Sequence, residues 1–254
     1  MKTVLLLLAL FTGMAAFQPS AAHATQVQEA QPDLYANLSK AWRQRGVEGV
    51  KAILNSHQIE TYADQQTATT WLQNNYEMDR RNPRIGLLYA DALYPLARDY
   101  KMARKESEYH HYMLAGLTAF LSSQLIAYED IARCADKSVG AAYAQSWREG
   151  KTYETYKVYA ASLSKEQRQS VWESVKKISD GRDKSEPDKT ACAGGAEALA
   201  AAQMKGDCQS TGLDKTDMKC DEEKYIEILN DDQWQALRLK VQAAVMDHTL
   251  KGNI

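Results

Sequence analysis

Glu106, Glu108, His110 and His111 fall within six residues, in the stretch KESEYHHYML from Lys105 to Leu114, and the whole chain of 254 residues has five histidines. Imidazole ligates metals and exchanges protons near neutral pH, and a carboxylate in suitable surroundings does either, so this density points to a metal centre or to acid–base chemistry. Glu108-Tyr109-His110-His111 contains a Glu-x-x-His, but a di-iron carboxylate centre needs two such motifs and two further glutamates on facing helices. A copper site would join His110 to Met113 one turn on, with Met102 or Met78 nearby, because imidazole and thioether suit that metal. A structural reading competes with both. At about 100° per residue, Leu114, Leu117, Leu121, Leu125 and Tyr128 lie within about 60° of His110, which sits in the middle of an apolar stripe. Glu106, one turn earlier, falls on the same side. The expectation is therefore a core pair in which Glu106 and His110 satisfy each other, with His110 and Met113 as the metal alternative.

The elements that position these residues read as helices. Alanine, leucine, glutamine, lysine and glutamate dominate, prolines number five, and alternating β-branched runs are missing. The expected class is all-α, built of antiparallel helical hairpins as a bundle or short solenoid, with a disulfide-tied loop region near the C-terminus. Helices are expected over residues 34–42, 47–56, 66–78, 84–100, 103–133 and 139–163. Asn82-Pro83 is a turn whose proline opens the next helix, and Pro95 should kink or end that helix. Ser164 with Gln167 reads as a capping box, and Gly181 ends the helix it starts, whose stripe is Val171, Trp172, Val175 and Ile178. Asp231 or Asp232 caps a last helix carrying Trp234, Leu237, Val241, Val245 and Leu250. Residues 180–189 read as a surface linker, and residues 205–222 as a loop pinned by cysteines. Tyr143, Trp147, Tyr153, Tyr156 and Tyr159 wrap one helix, a pattern that predicts burial among neighbours.

Residues 1–24, with Lys2, an apolar run from Val4 to Phe11 and the ending Ala22-His23-Ala24, have the layout of a secretory signal peptide. The expected organisation is that leader, a helical hairpin domain over residues 25–180, and residues 181–254 as linker, cysteine-containing loops and a C-terminal helix on the same domain. Loss of Lys2 takes the formal charge from −2 to −3. No basic excess then attracts nucleic acid, and no later stretch is long and apolar enough to span a bilayer. The four cysteines, Cys134, Cys192, Cys208 and Cys220, are expected in two disulfides in a periplasmic or secreted protein. Three pairings are open; the polar stretch between Cys208 and Cys220 favours a local bridge there and a longer tie from Cys134 to Cys192.

WLQNNYEM from Trp71, the Asn82-Pro83 turn, the small residues Ala90, Ala92 and Ala97, and YMLAGLTAF from Tyr112 together resemble Sel1-like or tetratricopeptide helical hairpins over about residues 66–125. A plain antiparallel bundle gives the same pattern. The resemblance implies binding through the face that paired helices curve around, which selects Trp71, Tyr89, Arg80, Arg81 and Arg84 as binding residues for an acidic partner. ESEY from Glu106 also resembles the start of the lytic transglycosylase motif, and SVGAAYAQ from Ser138 its following stretch, although the two lie thirty-two residues apart here. That resemblance implies Glu106 as general acid in a cell-wall-acting enzyme. Phosphate-cradling, dinucleotide-binding, nucleophile-elbow and zinc-protease motifs are absent from the sequence, so no cofactor is expected. The leading expectation is a non-catalytic binder of a protein or peptide in the cell envelope, of an immunity or adaptor type.

Overall fold

Side-chain boxes set where several helices begin. Thr61 accepts from the Asp64 amide while the Asp64 carboxylate accepts from the Thr61 amide, and the same reciprocal pairs join Ser164 to Gln167 and Asn230 to Gln233. Asn82 caps with its Oδ1, which accepts from the amides of Arg84 and Ile85, and Pro83 stands at the first helical position. The structure, a computed structural model, describes residues 33–56, 58–80, 82–139, 145, 147, 151–181, 189–210 and 218–251. The expected leader, Arg81, Tyr143 and most of the expected linker lie outside the described residues.

In chain order the elements are α1 (Leu34–Leu54), α2 (Tyr62–Met78), α3 (Pro83–Met102), α4 (Glu106–Arg133), α5 (Lys151–Ser162), α6 (Lys165–Asp180), a short turn of 3-10 helix (Lys189–Cys192), α7 (Ala196–Lys205), β1 (Cys208–Ser210), β2 (Met218–Cys220), a second 3-10 turn (Glu222–Tyr225) and α8 (Asp231–Val245), which runs into a π-helical turn (Met246–Lys251). The all-α class holds. α1 is broken at Gly46, whose φ of 57° and ψ of −142° are open to glycine alone, so the two helices read on either side of that residue are real segments. Pro95 does not end α3, which continues to Met102. The last helix is capped by Asn230, not by Asp231 or Asp232. β1 and β2 form a small antiparallel hairpin, with Cys208 opposite Cys220.

Each of the first four helices packs on the next, and α4 is the spine: α3 makes its largest contact, and α5, α6 and α8 also lie against it. Backbones approach closely where α3 and α5 meet α4. A Cβ on Gly116 would stand 1.9 Å from the Tyr156 hydroxyl oxygen. Tyr156, fully buried on α5, uses that gap to donate 2.7 Å to the carbonyl of Ala90 on α3. A Cβ on Gly86 would likewise meet Ser123 Oγ at 2.0 Å. Trp147, Tyr153, Tyr156 and Tyr159 are all buried as expected, but the helix expected over residues 139–163 is interrupted: Trp147 lies in a turn and only the three tyrosines are on α5. Each such aromatic contributes about 1.5–3 kcal/mol by leaving water.

The C-terminal third is fastened by polar and covalent links. Glu129 Oε1 on α4, buried, accepts from Ser179 Oγ at 2.5 Å, Gln242 Nε2 at 3.2 Å and Arg238 Nε at 3.3 Å. Arg238 Nη2 also donates to Ser179 Oγ at 3.1 Å and to Asp180 at 2.9 Å. One carboxylate thus joins α4, α6 and α8. Disulfides pair Cys134 with Cys192 and Cys208 with Cys220, the pairing that the polar 208–220 stretch favours, and no cysteine is free. Beside the first bridge, Asp136 accepts from the Glu197 amide and Ser138 Oγ from the Ala196 amide, each at 2.8 Å, so the N-terminus of α7 is capped from a distant loop. Among the described residues no helix is long and apolar enough to cross a membrane.

Candidate functional site

The end of the bundle at the α3–α4 turn gathers aromatic rings and cations from four helices. Tyr62 opens α2 and Tyr100 closes α3, and their hydroxyls meet at 3.2 Å. Tyr112 of α4 stacks on Tyr100, with centroids 5.2 Å apart and planes 15° apart, and His111 meets Tyr112 edge-on. Beside them Tyr109 packs edge to face on Tyr159 of α5, with centroids 6.1 Å apart. His110 Nδ1 lies 3.2 Å from the Tyr159 hydroxyl, which also donates to the His110 carbonyl at 3.3 Å. Tyr62, His110 and His111 are exposed, Tyr100, Tyr109 and Tyr112 half-buried, and Tyr159 buried.

Cations sit over these rings. Lys101 Nζ stands 4.8 Å from the Tyr109 centroid and Lys105 Nζ 5.7 Å from that of Tyr100, within cation–π range. Between them Arg104 has φ of 58°, a left-handed conformation uncommon for a residue with a Cβ. All three are exposed, and none makes an ion pair among the described residues. Burial, then the hydrogen bond to Tyr100, pushes the Tyr62 phenol above its ordinary range. Burial, then neighbouring phenols, pushes Tyr112 and Tyr159 up to about 12. These phenols therefore stay neutral hydrogen-bond donors at physiological pH, and the local charge is set by the lysines, the arginine and the carboxylates.

Glu106 and His110 belong to this surface, not to the core. Their side chains are 65% and 55% exposed, with Glu106 Oε2 4.0 Å from His110 Nε2, which corrects the expected buried pair. His110 does share a face with Leu117 and Leu121, but the packing that buries that face begins only at Met113. Met113 is buried while His110 is exposed at Tyr159, so the two do not converge on a common ion. Among the described residues no three His, Cys, Asp or Glu side chains gather as a metal site. Glu106 stands on the first turn of α4 in contact with solvent, without the apolar enclosure that a glutamate general acid uses.

The expected binding residues divide. Trp71 is buried and donates from Nε1 to Ser39 Oγ at 2.8 Å, and Tyr89 is buried against Tyr76 with centroids 5.5 Å apart. Both are core residues, which corrects their assignment to a binding surface: helix-hairpin aromatics fill the gap between helices before they reach a partner. Arg80 and Arg84 are exposed at the opposite end of α3, with the Arg80 guanidinium 6.0 Å from the Tyr76 centroid. The α3–α4 end was not selected as a binding surface from sequence. Its signal was the basic run KMARK between two helices, flanked by Tyr100 and Tyr109. Compared with known proteins, the chain matches no family model, no curated protein and no solved structure.

Proposed function

We propose that this chain is an exported, partner-binding helical protein of the cell envelope, of the adaptor or immunity type, and that it binds through the α3–α4 end. The leader-like residues 1–24 support export, and two disulfides with no free cysteine support an oxidising compartment, periplasmic or extracellular. The sequential packing of α1 to α4 supports a helical-hairpin scaffold. The observation that carries the binding role is the half-wet cluster of tyrosines and histidines with Lys101 and Lys105 over its rings. Tyrosine and arginine are enriched among the anchors of protein recognition, and charged lysines at the rim steer a partner's approach.

The test places a photo-crosslinking residue at Tyr62, on the α3–α4 end, or at Met78, exposed at the far end of α2. Irradiation of intact cells should give a discrete protein adduct from position 62 and none from position 78. An adduct from position 78 alone moves the surface to the Arg80–Arg84 turn. Adducts from neither defeat the binding role. If cell-wall cleavage is present in the wild type and lost in a folded Glu106→Gln variant, the protein is an enzyme instead.

A further inference from the structure

We propose that the α3–α4 end takes an acidic polypeptide segment whose carboxylates pair with Lys101, Arg104 and Lys105; this rests on the reading above that this end is the binding surface. Three cations fall within five residues, all exposed and none in an ion pair among the described residues, on a chain whose formal net charge is −2. The acids beside them, Asp99 at 3.7 Å from Arg98 and Glu106 and Glu108 on the first turn of α4, number three against the four cations Arg98, Lys101, Arg104 and Lys105, which leaves a cationic excess at this end. A basic end on an acidic molecule attracts an anionic partner and orients it as it approaches.

The rings decide which anion. Tyr100 carries the stacked ring of Tyr112 and the ammonium of Lys105, which cannot share one face, and Tyr109 carries Lys101 and the edge contact with Tyr159. Tyr100 therefore offers no free face for a sugar to stack on, and one face of Tyr109 is covered by Lys101. Their work is to hold flexible lysine stems in place, which lowers the entropy lost when the ammoniums meet carboxylates. At the rim Tyr62 donates to the Tyr100 hydroxyl, whose own proton can be given to a peptide carbonyl. Arg104 fits the same purpose. A glycine or asparagine would hold its left-handed turn with less strain, and an arginine there puts a third cation at the tip of the turn.

The experiment follows a labelled oligoglutamate peptide by fluorescence anisotropy with the mature protein, in parallel with labelled oligogalacturonate. The peptide should bind, more weakly as salt rises, and Lys101→Glu/Arg104→Glu/Lys105→Glu should weaken it by about tenfold or more. Arg80→Glu/Arg84→Glu, at the opposite end, should bind as the wild type does. All three reversed side chains are exposed, so an unchanged circular-dichroism melt of the variant is expected and separates lost binding from lost fold. Tighter binding of oligogalacturonate than of the peptide overturns the polypeptide assignment in favour of an anionic glycan, and unchanged binding by the triple variant overturns it altogether. If neither probe binds while the position-62 adduct forms, the partner chemistry is wrong and the binding end stands; if the adduct is also missing, the reading of that end falls with it.

Discussion

Replacing Arg238 with methionine removes the cation from the buried junction of α4, α6 and α8. Arg238 and Glu129 are 7% and 2% exposed in their side chains, so Arg238→Met leaves a carboxylate without its counter-charge in the interior. Losing one partner of a buried pair costs about 3–5 kcal/mol. Ser179 and Gln242 still donate to Glu129 Oε1, at 2.5 and 3.2 Å, so the carboxylate is not stripped of hydrogen bonds. The lost arm to Asp180, half exposed, adds about 1 kcal/mol at most. These considerations place the cost near the lower bound, about 3 kcal/mol. Glu129→Leu alone should cost less, about 2 kcal/mol, since the guanidinium keeps its bonds to Asp180 and Ser179. The double variant, which removes both charges, should lie within about 1–2 kcal/mol of the wild type. Urea denaturation followed by tryptophan fluorescence measures all three, and limited proteolysis at α8 reports whether that helix undocks first. A single-variant loss under about 1 kcal/mol would refute the claim that this junction holds α8. A double-variant loss equal to the sum of the singles would show that the charges are not coupled.

Three other outcomes are expected. Gly116→Ala should destabilise by about 1–3 kcal/mol despite the better helix propensity of alanine, because its Cβ would lie 1.9 Å from a hydroxyl tied to Ala90; a gain in melting temperature would contradict the packing. Its cost should shrink in a Tyr156→Phe background, where the hydroxyl and its bond are gone. The Ser138 side-chain hydrogen bond, then those from the Glu197 and Ser138 amides, hold the Asp136 carboxyl below its ordinary range. Its folded value is depressed, so its contribution is present above the unfolded carboxylate value of about 4 and disappears as pH falls through the folded value. The melting-temperature gap between wild type and Asp136→Asn should therefore be open at neutral pH and close in acid. Serine replacement of Cys134 and Cys192, 58 residues apart, should cost about 4 kcal/mol in the chain-entropy model, against about 3 for Cys208 and Cys220, 12 apart. Chemical denaturation without reductant would show the order, and a larger loss from the shorter loop would contradict it.

Local signals were legible where a helix carries its own start and stop. Ser164 with Gln167 and Asn82 with Pro83 needed no tertiary information. α2 begins at Tyr62 and not at residue 66 because its box closes with Asp64 in place of the usual glutamate or glutamine. The angular position of His110 was also readable, since periodicity fixes which face a residue occupies. Periodicity does not say where the neighbouring helices stop, and that decides whether the face is covered. Trp71 and Tyr89 show the same gap from the other side: composition marks an aromatic as valuable, and only packing tells core from surface. α7 went unassigned because its caps, Asp136 and Ser138, lie about sixty residues upstream and leave no local trace.

Those distant caps bear on how the protein keeps its covalent form. Cys134, Asp136 and Ser138 face Cys192, Ala196 and Glu197 across a single seam, which Gly195 keeps tight, since a Cβ there would meet Asp136 Oδ2 at 2.5 Å. In the folded chain the two amide-to-oxygen bonds and the disulfide hold the same two stretches together, so docking of α7 and the Cys134–Cys192 bridge reinforce each other. Four thiols can join in three ways, and this seam favours one of them by proximity. Cys208 and Cys220, opposite each other in their own hairpin, are left to find one another. A docked α7 thus stabilises the native pairing against the two alternatives, which would have to open this seam.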